Sequence, residues 1–538
     1  MLQRWGAEDG TILSVNWVNG VNHIPFVGTT FRLDMADAYD ALITRLKELS
    51  VMGEIGATLA YDQEVFMPSS ATQARGDAMG WLAKEMHARS TDPSLGELIT
   101  SCEADDVFDG LDADQKANII EARRSWERST RLPADLVEET AKHQALAQMV
   151  WAEARAASDF SRFSGTLSTM LDLKKKAASL LSDGGDHYDA LLDLYETGLT
   201  QAALDPMFAE LEATLVPLLA AIQGAPAATM FCFEDHGPYP IEAQEAFGRE
   251  ISEALGFDFD RGRMDVSTHP FSSGLSTNDI RFTTRYDPLE PLSAFYGTLH
   301  ETGHSLYEQG LDPSHVRTPR GESVSLGVHE SQSRFWENTI GRSRPFWEWL
   351  WPRMVKHFPQ LDGVADAEQA FRAANRVGPT FIRVEADEVT YNLHILLRYR
   401  IEQRLIAGDL SVDDLPKAWD EMMENMLGIR PSNAAEGCLQ DIHWSFGAFG
   451  YFPTYTLGNL YAAHLFTTIR QDISELDDKV AAGEFTPILT WLRERVHSKG
   501  CVTTPVGIIE AASGRPPTAE AFLDSLSSKM SELHGLTT

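Results

Sequence analysis

Two histidines four residues apart with a glutamate after the first, His300-Glu301-Thr302-Gly303-His304, are the residues of this chain best suited to chemistry. On a helix of about 3.6 residues per turn the two imidazoles leave nearly the same face one turn apart, close enough to share one cation. Zinc accepts imidazole nitrogen and carboxylate oxygen in a roughly tetrahedral shell, and a catalytic site keeps one position for water. Glu301 then stands ready as general base, taking that water's proton once the cation has brought its pKa toward about 7. Gly303 inside the helix costs about 1 kcal/mol relative to alanine, which a close approach of substrate or of a neighbouring element would explain.

The pair needs a third protein ligand. Gly327-Val328-His329-Glu330-Ser331-Gln332-Ser333-Arg334-Phe335-Trp336 reads as a second helix, running on through Glu337 and Ile340 to Gly341. A carboxylate there completes a His₂Glu shell, so Glu330 is the expected ligand. His329 leaves the same helix about 100° away and competes for the position; ligand chemistry favours Glu330 and sends His329 to the substrate cleft. The expected cofactor is one divalent metal ion per chain, zinc by its donors, with Co²⁺ or Mn²⁺ able to use the same three ligands.

These residues need rigid elements to hold them. Leu292, Phe295, Tyr296, Leu299 and Leu306, with a stop at Gly310, predict a helix from Leu292 to Gln309. The same spacing predicts helices over Leu42 to Leu59, Lys116 to Arg128, Leu136 to Ala156, Phe163 to Leu181, Phe208 to Ile222, Ile241 to Leu255 and Leu460 to Ala482. Ile280-Arg281-Phe282-Thr283-Thr284-Arg285-Tyr286 alternates instead and is rich in β-branched residues, predicting a small sheet just before the HExxH helix. The sheet is expected within Phe271 to Tyr286, and an edge strand of it beside a zinc cleft could pair with an extended peptide. The fold class is therefore mainly α, with a small β-sheet beside the metal helix.

Six blocks stand in order along the chain: His269-Pro270-Phe271; Asp279-Ile280-Arg281-Phe282-Thr283; the HExxH helix; His329-Glu330-Ser331-Gln332; Ile382-Arg383-Val384-Glu385-Ala386-Asp387; and Gly437-Cys438-Leu439-Gln440-Asp441-Ile442-His443-Trp444. In these the chain resembles the carboxypeptidase Taq family of metallocarboxypeptidases. Tyr61-Asp62-Gln63, Met67-Pro68 and Tyr188-Asp189-Ala190-Leu191-Leu192-Asp193 extend the resemblance to about residue 36. It implies a large gluzincin-like body of two lobes around a deep active-site cleft, broad removal of C-terminal residues, and a homodimer. Residues 1–35 read as an extension without a family counterpart and 36–538 as a single domain. Length alone would suggest about three or four domains, but no Gly/Ser-rich linker or repeat interrupts the amphipathic patterns.

An enzyme that trims C-termini needs a cation for the terminal carboxylate, the more so in a chain whose 45 basic and 79 acidic residues give a formal charge of −34. Arginine's planar fork suits the task. Arg383 is the leading candidate and Arg281 the second; each has an acid within its block, Asp387 or Asp279, that could claim it instead. Tyr455 and Tyr451, in the glycine-rich run from Phe446 to Tyr455 read as non-helical, are candidate oxyanion donors, and loss of one such donor costs about 10²–10³ in rate. His269 and His443 are further donors by their place in the family blocks. Two other readings share the ligand set: a metalloendopeptidase of the oligopeptidase type, and a non-catalytic peptide-binding protein of the same fold, which would have no use for Glu301.

The acidic balance repels phosphate backbones and argues against a nucleic-acid partner. Hydrophobic residues make up 43% and charged residues 23%, an ordinary soluble composition. No stretch reaches the roughly 18 to 20 uninterrupted apolar residues of a membrane span, and Met1-Leu2-Gln3-Arg4-Trp5-Gly6-Ala7-Glu8-Asp9 has an acidic pair where a secretion signal needs an apolar core. The expectation is a cytoplasmic enzyme acting on peptides, with no membrane partner. Cys102, Cys232, Cys438 and Cys501 lack CxxC spacing and read as reduced thiols.

Overall fold

The segments with apolar residues at three- and four-residue spacing fold into helices Met35–Val65, Ala113–Arg131, Ala134–Ala157, Ser161–Leu181, Gln201–Gly224 and Ile241–Leu255. The computed structural model describes residues 35–226 and 230–536. The expected extension over 1–35 therefore lies, but for its last position, outside the described residues. Gln201–Gly224, the most apolar of the long helices, buries Leu204, Phe208, Leu211, Leu215, Leu219 and Ile222 along one stripe in the main core. That core joins helices from Ala147 to Met530, and a smaller one under Met35–Val65 gathers Leu42, Leu95, Ile99 and Ile119.

Among the described residues there are 21 α-helices and one three-stranded sheet, so the mainly α expectation is borne out. The sheet comprises β1 (Gly262–Val266), β2 (Ser272–Ser276) and β3 (Asp279–Thr284), in the order β1-β3-β2. Of the stretch read as a small sheet, β2 is an edge, while β3 is central and pairs in parallel with β1 and antiparallel with β2. Its backbone donors and acceptors face neighbours on both sides, so it cannot take up a peptide as an added strand. β3 does lead by a short loop into the HExxH helix, Pro291–Gly310, and packs against it. Tyr61 ties the N-terminal helix to this sheet, its hydroxyl donating to Asp265 at 2.6 Å.

Two further stretches depart from the sequence pattern. The second helix is α-helical only over Leu326–Arg334 and continues as a π-helix over Phe335–Ile340. The glycine-rich run is not irregular to its end, because Pro453, with its fixed φ, starts a helix, Pro453–Asp472, that carries Tyr455 in its first turn. That helix stops at Asp472, and a separate one begins at Leu476, the intervening Glu475 having φ 55°.

Candidate active site

Three helices meet where backbone meets backbone. A Cβ on Gly303 would lie 2.5 Å from the carbonyl oxygen of Gln332, and one on Gly458, in Pro453–Asp472, would lie 2.4 Å from Cγ of Glu330. The glycine within the HExxH helix is thus explained by the crossing of the Glu330 helix. The crossing brings His300, His304 and Glu330 together with one ligand atom from each within 4.8 Å of the others. Glu330 Oε2 stands 3.6 Å from His300 Nε2 and 3.4 Å from His304 Nε2. Two imidazole nitrogens and a carboxylate oxygen converging in a largely buried space fit a divalent cation of the zinc type.

The atoms behind the ligands fix which nitrogen each histidine can offer. Glu337, presented by the π-helix, sits 2.8 Å from His300 Nδ1, so that nitrogen carries the proton and Nε2 is free. Arg334 donates to Glu330 Oε1 at 2.7 Å and to Glu337 Oε2 at 3.2 Å, and lies over the Tyr391 ring at 4.3 Å. His329, expected in the substrate cleft, lies instead behind His304, Nδ1 to Nδ1 at 2.6 Å, with its own Nε2 2.8 Å from Glu308 Oε1. These contacts set the proton positions: His329 Nε2–H donates to Glu308, leaving His329 Nδ1 to accept from His304 Nδ1–H. His304 Nε2 then keeps its lone pair for the cation. A His329→Ala variant is expected to retain the three ligands but bind the cation about 10- to 100-fold more weakly, the usual effect of losing such support. Titration of the metal-free protein with Zn²⁺ checks this, and unchanged affinity would confine His329 to packing.

Charge and burial tune each group. Burial pushes His300 down, but the carboxylates of Glu330 and Glu337 outweigh it and hold its pKa up at about 9. Burial, only partly offset by Glu330, takes His304 down to about 3, so it offers a neutral nitrogen more readily. Burial would raise Glu330, but Arg334 and His300 keep it well below the usual carboxylate range. Glu301 is raised to about 7 by burial, against the opposing pull of His300. Its Oε2 is buried and has no hydrogen-bond partner among the described residues.

A cavity of about 590 Å³ opens in front of His300 and Glu330, lined also by His269, Tyr296, Arg342, Arg383, Tyr391 and Tyr455. Of the residues singled out in the sequence, His269, Arg383 and Tyr455 therefore share the cavity with the ligands. Tyr455 accepts from His443 Nε2 at 3.2 Å when that nitrogen is protonated, which leaves the phenol's own proton to donate. Burial takes His443 down to about 3 despite Asp441, so it acts as a neutral ring. Tyr451 does not line the cavity and packs edge-on against Tyr195 and Tyr455. Arg383 reaches the cavity, but Nε and Nη2 both bind Asp441, at 3.1 and 2.9 Å, and Nη1 donates to Tyr391. Its partner is thus not the Asp387 of its own block, which holds the backbone of Val389 and Thr390. Arg281 does not line the cavity; its fork is closed on Asp279 by two bonds of 2.7 Å.

Sequence reasoning passes over Glu337, Arg334, Glu308 and Tyr391. Glu330, Arg334 and Glu337 do carry a signal, since alternating charges at i, i+4 and i+7 share one helix face. Glu308 carries one too, four residues after His304 on the HExxH helix, whereas Tyr391 carries none, as only the tertiary fold brings it near.

The sequence pattern of the family described as carboxypeptidase Taq (M32) metallopeptidase matches residues 41–530. "Thermostable carboxypeptidase 1" of Thermus thermophilus is 42% identical over 93% of this chain and 99% of its own. "Carboxypeptidase 1" of Bacillus subtilis is 37% identical over 91% and 97%. Among solved structures, an M32 carboxypeptidase from Deinococcus radiodurans superposes with a TM-score of 0.89 at 39% identity, covering 93% of this chain and 100% of that one. A Pyrococcus furiosus carboxypeptidase does so with 0.88 at 37%, covering 92% and 99%.

Proposed function

Because the chain belongs to the carboxypeptidase Taq (M32) family of metallopeptidases and is a metallocarboxypeptidase, we propose that it removes C-terminal residues of broad identity with Glu301 as general base. His300, His304 and Glu330 would hold one divalent cation, zinc by the donor set. When bound, the cation supplies Lewis-acid chemistry, polarising the scissile carbonyl and acidifying a water. Glu301 accepts the water's proton and returns it to the leaving amine, a double task for which a pKa of about 7 is well matched. Tyr455, its oxygen held by His443, donates toward the oxyanion. The observation carrying this reading is the partnerless Glu301 Oε2 beside three converged ligand atoms. The homodimer implied by the family resemblance belongs to the same reading, with sedimentation of the purified chain as its test.

Digestion of one peptide as free acid and as C-terminal amide separates exopeptidase from endopeptidase. The free acid is expected to lose residues one at a time from its end while the amide resists. Internal cleavage of both forms at similar rates would make the enzyme an oligopeptidase.

A further inference from the structure

A second cavity, of about 600 Å³, is lined by residues of the helices Pro453–Asp472 and Glu520–His534. Arg334 lines both this cavity and the catalytic one. The space that joins them, bounded by Arg334, Glu337, Asn338 and Phe522 among others, measures about 20 Å³, room for about one water. Neither a peptide nor an amino acid crosses so narrow a gap. An occupant of the second cavity therefore enters it from solvent and leaves the catalytic cleft open.

The wall of this cavity carries four cations and three acids in a chain of formal charge −34. Most of these charges are taken: Arg334 pairs with Glu330 and Glu337, Arg470 with Asp477, and Lys529 with Glu388. Arg515, Glu520 and Asp524 have no ion-pair partner among the described residues. The Arg515 carbonyl accepts from His464 Nε2 at 3.1 Å and from Ser513 Oγ at 3.0 Å, so its backbone is held in place. Glu520 and Asp524 stand one turn apart on the same face of their helix. A guanidinium and two carboxylates at one mouth suit a ligand that is itself a zwitterion. All three are exposed, where ion pairs alone are weak. Apolar contact must add to them, and Phe466, Phe522 and Leu526 on the same wall supply it.

The cavity also borders what holds the catalytic site. Arg334 donates to Glu330 Oε1 at 2.7 Å, and Asn338 Oδ1 accepts from Arg342 Nε at 3.1 Å. A side chain lodged against Arg334 and Asn338 disturbs the support of a metal ligand without competing for the cleft. We propose that this cavity binds a free amino acid with a large apolar side chain, its carboxylate on Arg515 and its ammonium on Glu520 and Asp524, and slows turnover from there. That such a ligand is the enzyme's own product, which makes the effect a feedback, rests on the carboxypeptidase reading.

The test follows hydrolysis of one peptide against added L-phenylalanine in the wild type, in Arg515→Gln and in the double variant Glu520→Gln, Asp524→Asn. Phenylalanine is expected to lower wild-type kcat about 5-fold or more at saturation, an inhibition that excess substrate does not reverse. L-Phenylalaninamide, without the carboxylate, and glycine, without the side chain, should leave kcat unchanged. Both variants should match the wild type when no amino acid is added and lose the effect on kcat, keeping only competition at the cleft. Thermal unfolding checks that they are folded, and saturation-transfer NMR of phenylalanine reads its binding in the absence of substrate. Purely competitive inhibition of the wild type overturns the proposal, as does a fall in kcat that survives in both folded variants. Internal cleavage of amidated peptides is a different failure: it removes the product reading while the NMR signal and its loss in Arg515→Gln would still establish the site.

Discussion

Glu301→Gln is expected to keep fold and cation while losing about 10²–10⁴-fold in kcat, the contribution of a positioned general base. Glutamine has nearly the same shape and bears no metal-binding duty, so the geometry of His300, His304 and Glu330 survives. What is lost is a buried carboxylate oxygen with no hydrogen-bond partner among the described residues. KM should change little, because the peptide binds before the proton moves. Elemental analysis, thermal unfolding and steady-state kinetics on one preparation decide the matter. Turnover near the wild-type rate with full metal content would take Glu301 out of the mechanism, leaving Tyr455 or His269 as the groups to test next.

Glu330→Ala should be more damaging still, because it does two things at once. It deletes a ligand, so the cation should be lost and turnover with it. It also leaves the buried guanidinium of Arg334 with Glu337 as its sole acid partner among the described residues, and breaking a buried pair on one side costs about 3 kcal/mol or more. Lower metal content together with a lower Tm is the expected result. Full metal occupancy in Glu330→Ala, combined with its loss in His329→Ala, would show that the third ligand is His329 and that the contacts described for the two side chains exchange roles in solution.

The ligand set is legible in the sequence because it depends on short-range regularity. Two histidines four apart on a helix face one way whatever surrounds them, and Glu330 answers the need for a third donor on a second helix. Gly303 signals a close approach, though nothing local names its partner, the backbone at Gln332. Long-range pairing is hidden. Arg383 finds its acid at Asp441, 58 residues on, and no local pattern distinguishes that partner from Asp387. The alternation of β3 marks it as a strand, but which strands flank it depends on β1, whose residues Gly262–Val266 carry little apolar signal. Tyr455 reads as irregular chain because glycines dominate the residues before it, although Pro453 is a helix-start signal in its own right. His329 is misplaced for a subtler reason: standing next to a ligand in sequence keeps it from facing the same cation, yet permits contact with the back of a different ligand.

The π-helix over Phe335–Ile340 makes this stretch sensitive to chain length in a way that substitution is not. A π-turn holds one residue more than an α-turn would over the same rise. Removing one residue between Trp336 and Ile340 would let this stretch close as an α-turn, with the residues on either side keeping close to their present places. Glu330 and Arg334 lie before the change and would stay. Arg342 lies after it and would stay over Tyr296, whereas Glu337, inside the π-stretch, would turn from His300 Nδ1. A single deletion would thus free His300 from the carboxylate that orients it while the helices on either side stay put, which would weaken the hold on the cation in a chain that is otherwise folded.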